Sequence, residues 1–421
     1  MNFVAAFKQG QTGNSISFPM GEGLASISRA IGGVRKGKLY VMGAAPKVGK
    51  STVVDVGWVI EPCVYALDMN KKIDNKVEKL SKTIKESSNT AELKSLSSQV
   101  EKLQKSRPKL EVIYFSYEID RVSKEFDFAA HFLYRDYGIS FAMLPEGKTY
   151  KDKNYISLSS DYLMGELVYD TDSTLDREVI KVSAEIEDKL KKVYSDRIIP
   201  LFGEYNDKGE RVSVGLISVI ENRDNPTGIR NSLLSYAASR GTFKYSTAKT
   251  KEGKTVNRRI GYTPNDPNLL SLIVTDHIRK VLVERSFTLK QTVDKYAEYT
   301  VELRNLCKFS FVHIVHLNRG MSDVQRRKLD DDRIYPLSDD IKETGNLSED
   351  SNYIFTMFNP NDDRYNLDKH FGKIIKSANG SLKYPNMRTL HLVESRHCEA
   401  PQHFRVDMLG GVKTFKQLKI D

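Results

Sequence analysis

The sequence predicts an α/β domain with a mostly parallel central sheet. Short apolar runs rich in β-formers alternate with segments of helical spacing along most of the chain. The first such run, "KLYVMG" (38–43), ends in glycine and passes through a tight turn into "KSTVVDVGWVI", a helix start. Hydrophobic residues make up 39% of the 421 positions, with 21 Tyr and 18 Phe, enough for a sizeable core. Strand, loop and helix repeated in this way are the pattern of βαβ units.

Taken in order, "LEVIYFS" (110–116) reads as the second strand. "RVSKEFDFAAHFLYRDYG" follows with Phe126, Ala129, Ala130 and Leu133 on one helical face. "RIIPLFG" (197–203) reads as a third strand, and "PTGIRNSLLSYAASRG" (226–241) as a helix ending at Gly241. "LLSLIVTDH" (269–277) is a buried strand and "LKQTVDKYAEYTVELRNLCK" (289–308) a helix. "FSFVHIVHLN" (309–318), "SNYIFTMFN" (351–359) and "MRTLHLVES" (387–395) are further strands.

Two stretches break the rhythm. Over residues 68–108, Ile73, Val77, Leu80 and Ile84 keep helical spacing, as do Leu93, Leu96, Val100 and Leu103. Asn89 and Glu92 between them look like an N-cap and its N3 partner, so two antiparallel helices joined by a turn are expected. This hairpin is either a subunit contact or a solvated decoration. "TFKYSTAKTKEGKTVNRRIGYTP" (242–264) reads as a basic β-hairpin. Its Lys244, Lys249, Lys251, Lys254, Arg258 and Arg259 offer an electrostatic surface, with Phe243, Tyr245 and Tyr262 packing the hairpin.

Lys and Arg number 65 against 55 Asp and Glu, a formal charge of +10. That excess suits a polyanion such as nucleic acid, although charge alone does not separate this from ordinary surface charge. Cys63, Cys307 and Cys398 lie far apart, with no CxxC spacing, so neither a zinc site nor a disulfide framework is indicated. No stretch approaches the roughly 18 apolar residues that span a bilayer. A soluble, cytoplasmic protein is expected.

The segment "GAAPKVGKST" (43–52) carries the chemistry. Ala44, then Ala45, Pro46, Lys47 and Val48, then Gly49, Lys50, Ser51 and Thr52 fit a phosphate-binding loop between a strand and a helix. Such a loop aims backbone N–H groups at phosphates, and the helix N-terminus adds partial positive charge. Lys50 would reach the β- and γ-phosphates of ATP and Ser51 would hold Mg²⁺. Asp276, closing an apolar strand, is the expected second metal ligand. Glu118, just past "VIYFS", is placed to take a proton from the attacking water, or else is a surface acid opening a helix.

With these residues in view, the chain resembles the ATPase domain of DnaB-type replicative helicases, the RecA-like ring helicases of bacteria and phages. "GAAPKVGKST" is similar to the family's G-A-R-P-x-x-G-K-T, "VIYFSYEID" to F-F-S-L-E-M, and "LIVTDH" to I-V-I-D-Y. "IVHLNRG" resembles L-S-Q-L-N-R, and "RRKLDDDRIYPLSDDIKETGNLSEDSNYIFTMFN" the ordered block that follows it. "GEGLASISRAIGGVRKGKLYVMG" looks like the family's glycine-bearing lead-in. The resemblance runs from about residue 20 to 416 outside the two insertions. It implies an N-terminal arm (1–19) and a RecA-like ATPase domain (20–421) carrying those insertions. It also implies a homo-oligomeric ring, of hexamer type, with ATP and Mg²⁺ as cofactors. The ring would act on single-stranded DNA with other replication proteins. The family's N-terminal collar domain is expected to be missing, which suggests a phage or mobile-element protein working in its host's cytoplasm.

The resemblance also implies roles. His316 stands where the family's γ-phosphate-sensing glutamine stands, and a histidine still donates a hydrogen bond. Arg396 keeps the position of an arginine that reaches a neighbouring subunit's ATP, a group worth several powers of ten in turnover. Glu394 replaces the lysine that accompanies it. Channel-facing loops would place Arg285 and Lys290, and Arg326, Arg327, Lys328 and Arg333, on nucleic-acid phosphates, or else these pair with Asp330, Asp331 and Asp332. The leading expectation is an ATP-driven helicase. The alternatives are a RecA-like DNA-dependent ATPase that does not unwind, and an interaction protein with a degenerate site.

Overall fold

The computed structural model describes residues 16–418 except 88, 170–177, 207, 250–254, 319–333, 342–344, 363, 366, 372, 378 and 379. Arg326, Arg327, Lys328 and Arg333, with Asp330 to Asp332, therefore lie outside the described residues, as do Lys251 and Lys254. The central elements run β1 (Leu39–Ala44), α1 (Lys50–Val54), α2 (Glu61–Glu86), α3 (Thr90–Lys105), β2 (Lys109–Ser116) and α4 (Arg121–Tyr137). They continue β3 (Ile217–Ile220), α5 (Pro226–Arg240), β4 (Leu269–Asp276), α6 (Leu289–Cys307) and β5 (Ser310–His316). The last are β6 (Tyr353–Phe358), β7 (Met387–Ser395), β8 (Gln402–Leu409) and β9 (Thr414–Gln417).

Nine strands form one sheet in the order β9-β8-β7-β6-β1-β5-β4-β2-β3. Strands β6 through β3 in that order are parallel, and β7, β8 and β9 add an antiparallel wing. The alternation of the pleat sorts the side chains into two cores. Tyr40, Met42, Val112 and Tyr114 face one layer, which holds Trp58, Phe128 and Phe132 of the helices following β1 and β2. Leu39, Val41, Ile113 and Phe115 face the other, with Leu233 and Ala237 of α5 and Val293, Tyr296 and Leu303 of α6. The result is three layers, helix on sheet on helix.

From Lys50 to Glu86 the backbone stays helical, with a π-helical stretch, Asp55–Ile60, between α1 and α2. Pro62 explains the widened turn: it has no N–H to give and its ring crowds the preceding turn. The predicted helical hairpin is present, but its first helix is the extension of the loop helix rather than a separate piece. Asn89 caps α3 through Ala91 and Glu92 N–H groups, while the Glu92 carboxylate accepts from Ser87 Oγ, 2.8 Å away. No residue of α3 is buried. The basic hairpin forms as two antiparallel strands, Gly241–Lys249 and Thr255–Pro264.

The predicted strand at 197–203 is wrong. A helix, Ala184–Val193, runs through a π-helical stretch Tyr194–Ile198 into Ile199–Phe202. The Ile pair favours a strand locally, but Ile198, Leu201 and Phe202 bury against the α4 layer, with Phe202 edge-on to Phe128 at 5.1 Å. Tertiary burial overrides a propensity worth about 1 kcal/mol. No described helix is long and apolar enough to cross a membrane.

Candidate functional site

Parallel strands deliver their C-terminal tips to one edge of the sheet, and β1, β5, β4 and β2 are neighbours there. Register does the rest: His316 pairs with Ala44, and Asp276 with Ser116. The sequence-predicted loop, His316, Asp276 and Glu118 are thus carried to the same edge.

The loop leaves β1 at Ala44 through Ala45, Pro46, Lys47 and Val48. Lys47 is left-handed at φ 62°, and Gly49 turns the chain at φ 112°. A β-carbon on Gly49 would come within 2.5 Å of Met408 Sδ, a flexible side-chain tip that can move, so it is the left-handed backbone that requires glycine here. The helix then starts with no side-chain cap on its first N–H groups, which stay available to an anion. Arg388 of β7 steadies the loop by donating from Nε to Val48 C=O at 3.1 Å. Lys50 is 8% exposed; burial lowers its pKa, and the Asp276 and Glu118 carboxylates nearby oppose that. Ser51 is half-buried and Thr52 buried.

Asp276 is 2% exposed, and its Oδ1 is buried without a hydrogen-bond partner. Its Oδ2 lies 3.4 Å from Tyr114 Oη, whose one proton goes to Asp55. A buried carboxylate oxygen without a partner, close to Lys50, fits a ligand for a divalent ion. Behind it lies a buried network. Tyr114 Oη donates to Asp55 Oδ1 at 2.8 Å, and Lys124 Nζ reaches Asp55 Oδ2 at 3.0 Å and Tyr114 Oη at 3.1 Å.

Glu118 has a side chain 36% exposed. Its Oε1 lies 3.1 Å from His277 Nε2 and 3.7 Å from Lys280 Nζ. His277 and His316 stack edge to face with centroids 4.3 Å apart. Burial pushes both imidazoles down to about 4, with Lys50 adding to the effect, so both are neutral near pH 7. His277 Nδ1 accepts from Arg279 N–H at 3.3 Å, which puts the ring proton on Nε2, the nitrogen nearest Glu118.

Other predicted residues are not brought here. Arg396 is exposed and follows β7, where its N–H bonds Asn352 C=O at 3.1 Å and its guanidinium bonds Glu349 C=O. Asn352 N–H in turn bonds Leu39 C=O, so Arg396 sits by the start of β1, the sheet end opposite the loop. Within one chain it cannot touch its own loop. Arg285, between β4 and α6, and Lys290, in the first turn of α6, are exposed. Sequence reasoning missed His277, Tyr114, Asp55, Lys124, Arg388 and Met408. A lone acid within "TVVDVGWVI" and a lysine in register with Phe128 on the apolar face of α4 were legible signals for Asp55 and Lys124.

No protein-family model matches the chain, and no curated protein sequence matches it. Its three-dimensional structure has relatives. One of them, solved as an ATPase domain, superposes over 99% of this chain and 97% of its own, with TM-score 0.53 and 10% identity. A DnaB-like replicative helicase, in a structure that describes its interactions with primase, superposes over 99% of this chain and 66% of its own, again at TM-score 0.53 and 10% identity. At this identity the likeness defines the fold: the RecA-like α/β fold predicted from the sequence, shared with the ATPase domains of DnaB-like helicases.

Proposed function

We propose, from the fold shared with DnaB-like helicase ATPase domains, that this protein hydrolyses ATP with Mg²⁺ to drive movement on single-stranded DNA in replication, as a ring of identical subunits. The supporting observation is one edge of the sheet: the loop at 44–52, Lys50, the open oxygen of Asp276, Glu118 and His316 converge there from four neighbouring strands. The residues fit Mg²⁺ and ATP, which when bound supply the phosphoryl group and neutralise its developing charge.

In this reading the free N–H groups of the α1 start and Lys50 bind phosphate. Ser51 and Asp276 hold the metal. Tyr114, itself fixed by Asp55 and Lys124, lies beside Asp276. Glu118 accepts the proton of the attacking water, with His277 Nε2 3.1 Å from its carboxylate. His316 donates toward the terminal phosphate. Arg396, remote from its own loop, would serve a neighbour's site, which makes turnover depend on assembly. Arg285, Lys290, Arg326, Arg327, Lys328 and Arg333 would contact the strand's phosphates, so binding would fall steeply with salt.

A second reading is favoured by Glu394, which puts a negative charge where a helicase of this kind carries a lysine: a DNA-stimulated ATPase that does not unwind. Phosphate release with and without single-stranded DNA, the mass of the assembled particle, and displacement on a forked duplex separate the readings. Lys50→Ala is expected to abolish turnover. Turnover unchanged in that variant would defeat both readings, and turnover without displacement would leave the second.

A further inference from the structure

We propose that Glu118, His277 and His316 form a site for a borderline-soft divalent ion of the zinc class, distinct from the magnesium position at Ser51 and Asp276. The three ligands leave the tips of consecutive strands. His316 ends β5, His277 follows β4 directly, and Glu118 lies two residues beyond β2. One ligand atom from each lies within 4.8 Å of the other two.

The separation of His277 Nε2 from Glu118 Oε1, 3.1 Å, is close to the edge of a tetrahedron whose metal–ligand bonds are about 2.0 Å. The widest separation, within 4.8 Å, has at most about 1.5 Å to close, and the half-exposed Glu118 side chain has the freedom to do it. His316 has a second claim on a ligand: its Nδ1 is buried without a hydrogen-bond partner. Two imidazoles and one carboxylate suit Zn²⁺ or Co²⁺. Mg²⁺ prefers oxygen donors and sheds water reluctantly. Three protein ligands leave one position open to water or a phosphate oxygen.

Two features oppose the ion. Lys280 Nζ, 3.7 Å from Glu118 Oε1, and the buried Lys50 both repel a dication. Lys280, with a side chain 39% exposed, turns away into solvent; Lys50 stays. His277 must also move its proton from Nε2 to Nδ1, giving up the long bond from Arg279 N–H. An ion here occupies the Glu118 carboxylate. Zn²⁺ would then slow ATP turnover without displacing nucleotide. That consequence rests on Glu118 acting as the base; the binding does not.

The test titrates Co²⁺ into the full chain, without nucleotide and with Mg²⁺ in excess, and reads the visible absorbance of low-coordinate Co²⁺. One equivalent per chain, displaced by Zn²⁺, is expected. Glu118→Gln and His316→Gln should each weaken binding at least about tenfold. Lys280→Ala should tighten it, a gain that a misfolded variant does not imitate. The site is refuted by the absence of the band, by its survival in both glutamine variants, or by weaker binding in Lys280→Ala. Binding of Co²⁺ as expected, with Zn²⁺ leaving turnover untouched, would keep the site and remove Glu118 from the role of base.

Discussion

Lys124 is 1% exposed yet carries its charge inside the protein. Burial alone would lower its pKa. The carboxylates of Asp55, Asp276 and Asp127 outweigh that, so the pKa ends raised and the ammonium persists. It also lies over the Tyr114 ring at 4.5 Å. Removing it strands Asp55, so Lys124→Met is expected to lower stability by about 3–5 kcal/mol. Adding Asp55→Leu should recover most of the loss, because the pair together costs desolvation that apolar side chains avoid. Denaturant titration of the three variants measures this. A single-variant loss below about 1 kcal/mol would mean the ion pair does not organise the layer behind Asp276.

At the scale of elements, the helical hairpin and the sheet differ in what holds them. The α2 residues beyond Ile73 and all of α3 lie outside the buried core. The hairpin is tied down by contacts at its base, such as the exposed pair Arg107 with Asp74 and the part-buried bond from Asn70 Nδ2 to Pro108 C=O at 3.2 Å. Replacing residues 77–103 by a short Gly/Ser turn should therefore leave cooperative unfolding intact and change stability by no more than about 1 kcal/mol. Loss of the cooperative transition in such a variant would place the hairpin in the core. This element was legible because its 3.6-residue periodicity is local. The helix at 199–202 was not, because burial of Leu201 and Phe202 against the α4 layer, far off in sequence, makes it preferable to a strand. The wing β8 and β9 also went unread: "QHFRVDML" is held by pairing with β7, such as His391 with His403, and that partner cannot be read from the segment itself.

For the whole molecule, acid is the revealing perturbation. His313 is fully buried, donating or accepting at Thr300 Oγ1 over 3.1 Å, and burial pushes it down to about 3. His277 and His316 are down to about 4. Each ordinary value is 6.5, so between pH 6.5 and 4 the unfolded chain binds more protons than the native one. Stability is then complete above pH 6.5 and falls as pH drops through that window. His313 alone should account for about 2 kcal/mol lost by pH 5. Unfolding free energies at pH 7.5 and 5, with a proton count from the slope, check this. Equal stability at the two pH values would show that these imidazoles are not held neutral by the fold.

The sequence by itself determined which residues could do phosphate chemistry. The loop at 44–52, Glu118 and Asp276 stood out because each stands at a strand tip or a strand-to-helix turn, local patterns of apolar runs, glycine and a terminal polar residue; His316 was singled out only by the resemblance. Only the tertiary structure decided that β5, β4 and β2 follow one another beside β1. That order sets His277 against Glu118 and His316 and brings Tyr114 near both Asp55 and Asp276, while the antiparallel run of β7 sends Arg396 to the opposite end. Strand order comes from pairings between residues tens to hundreds of positions apart, and no window of sequence contains both partners.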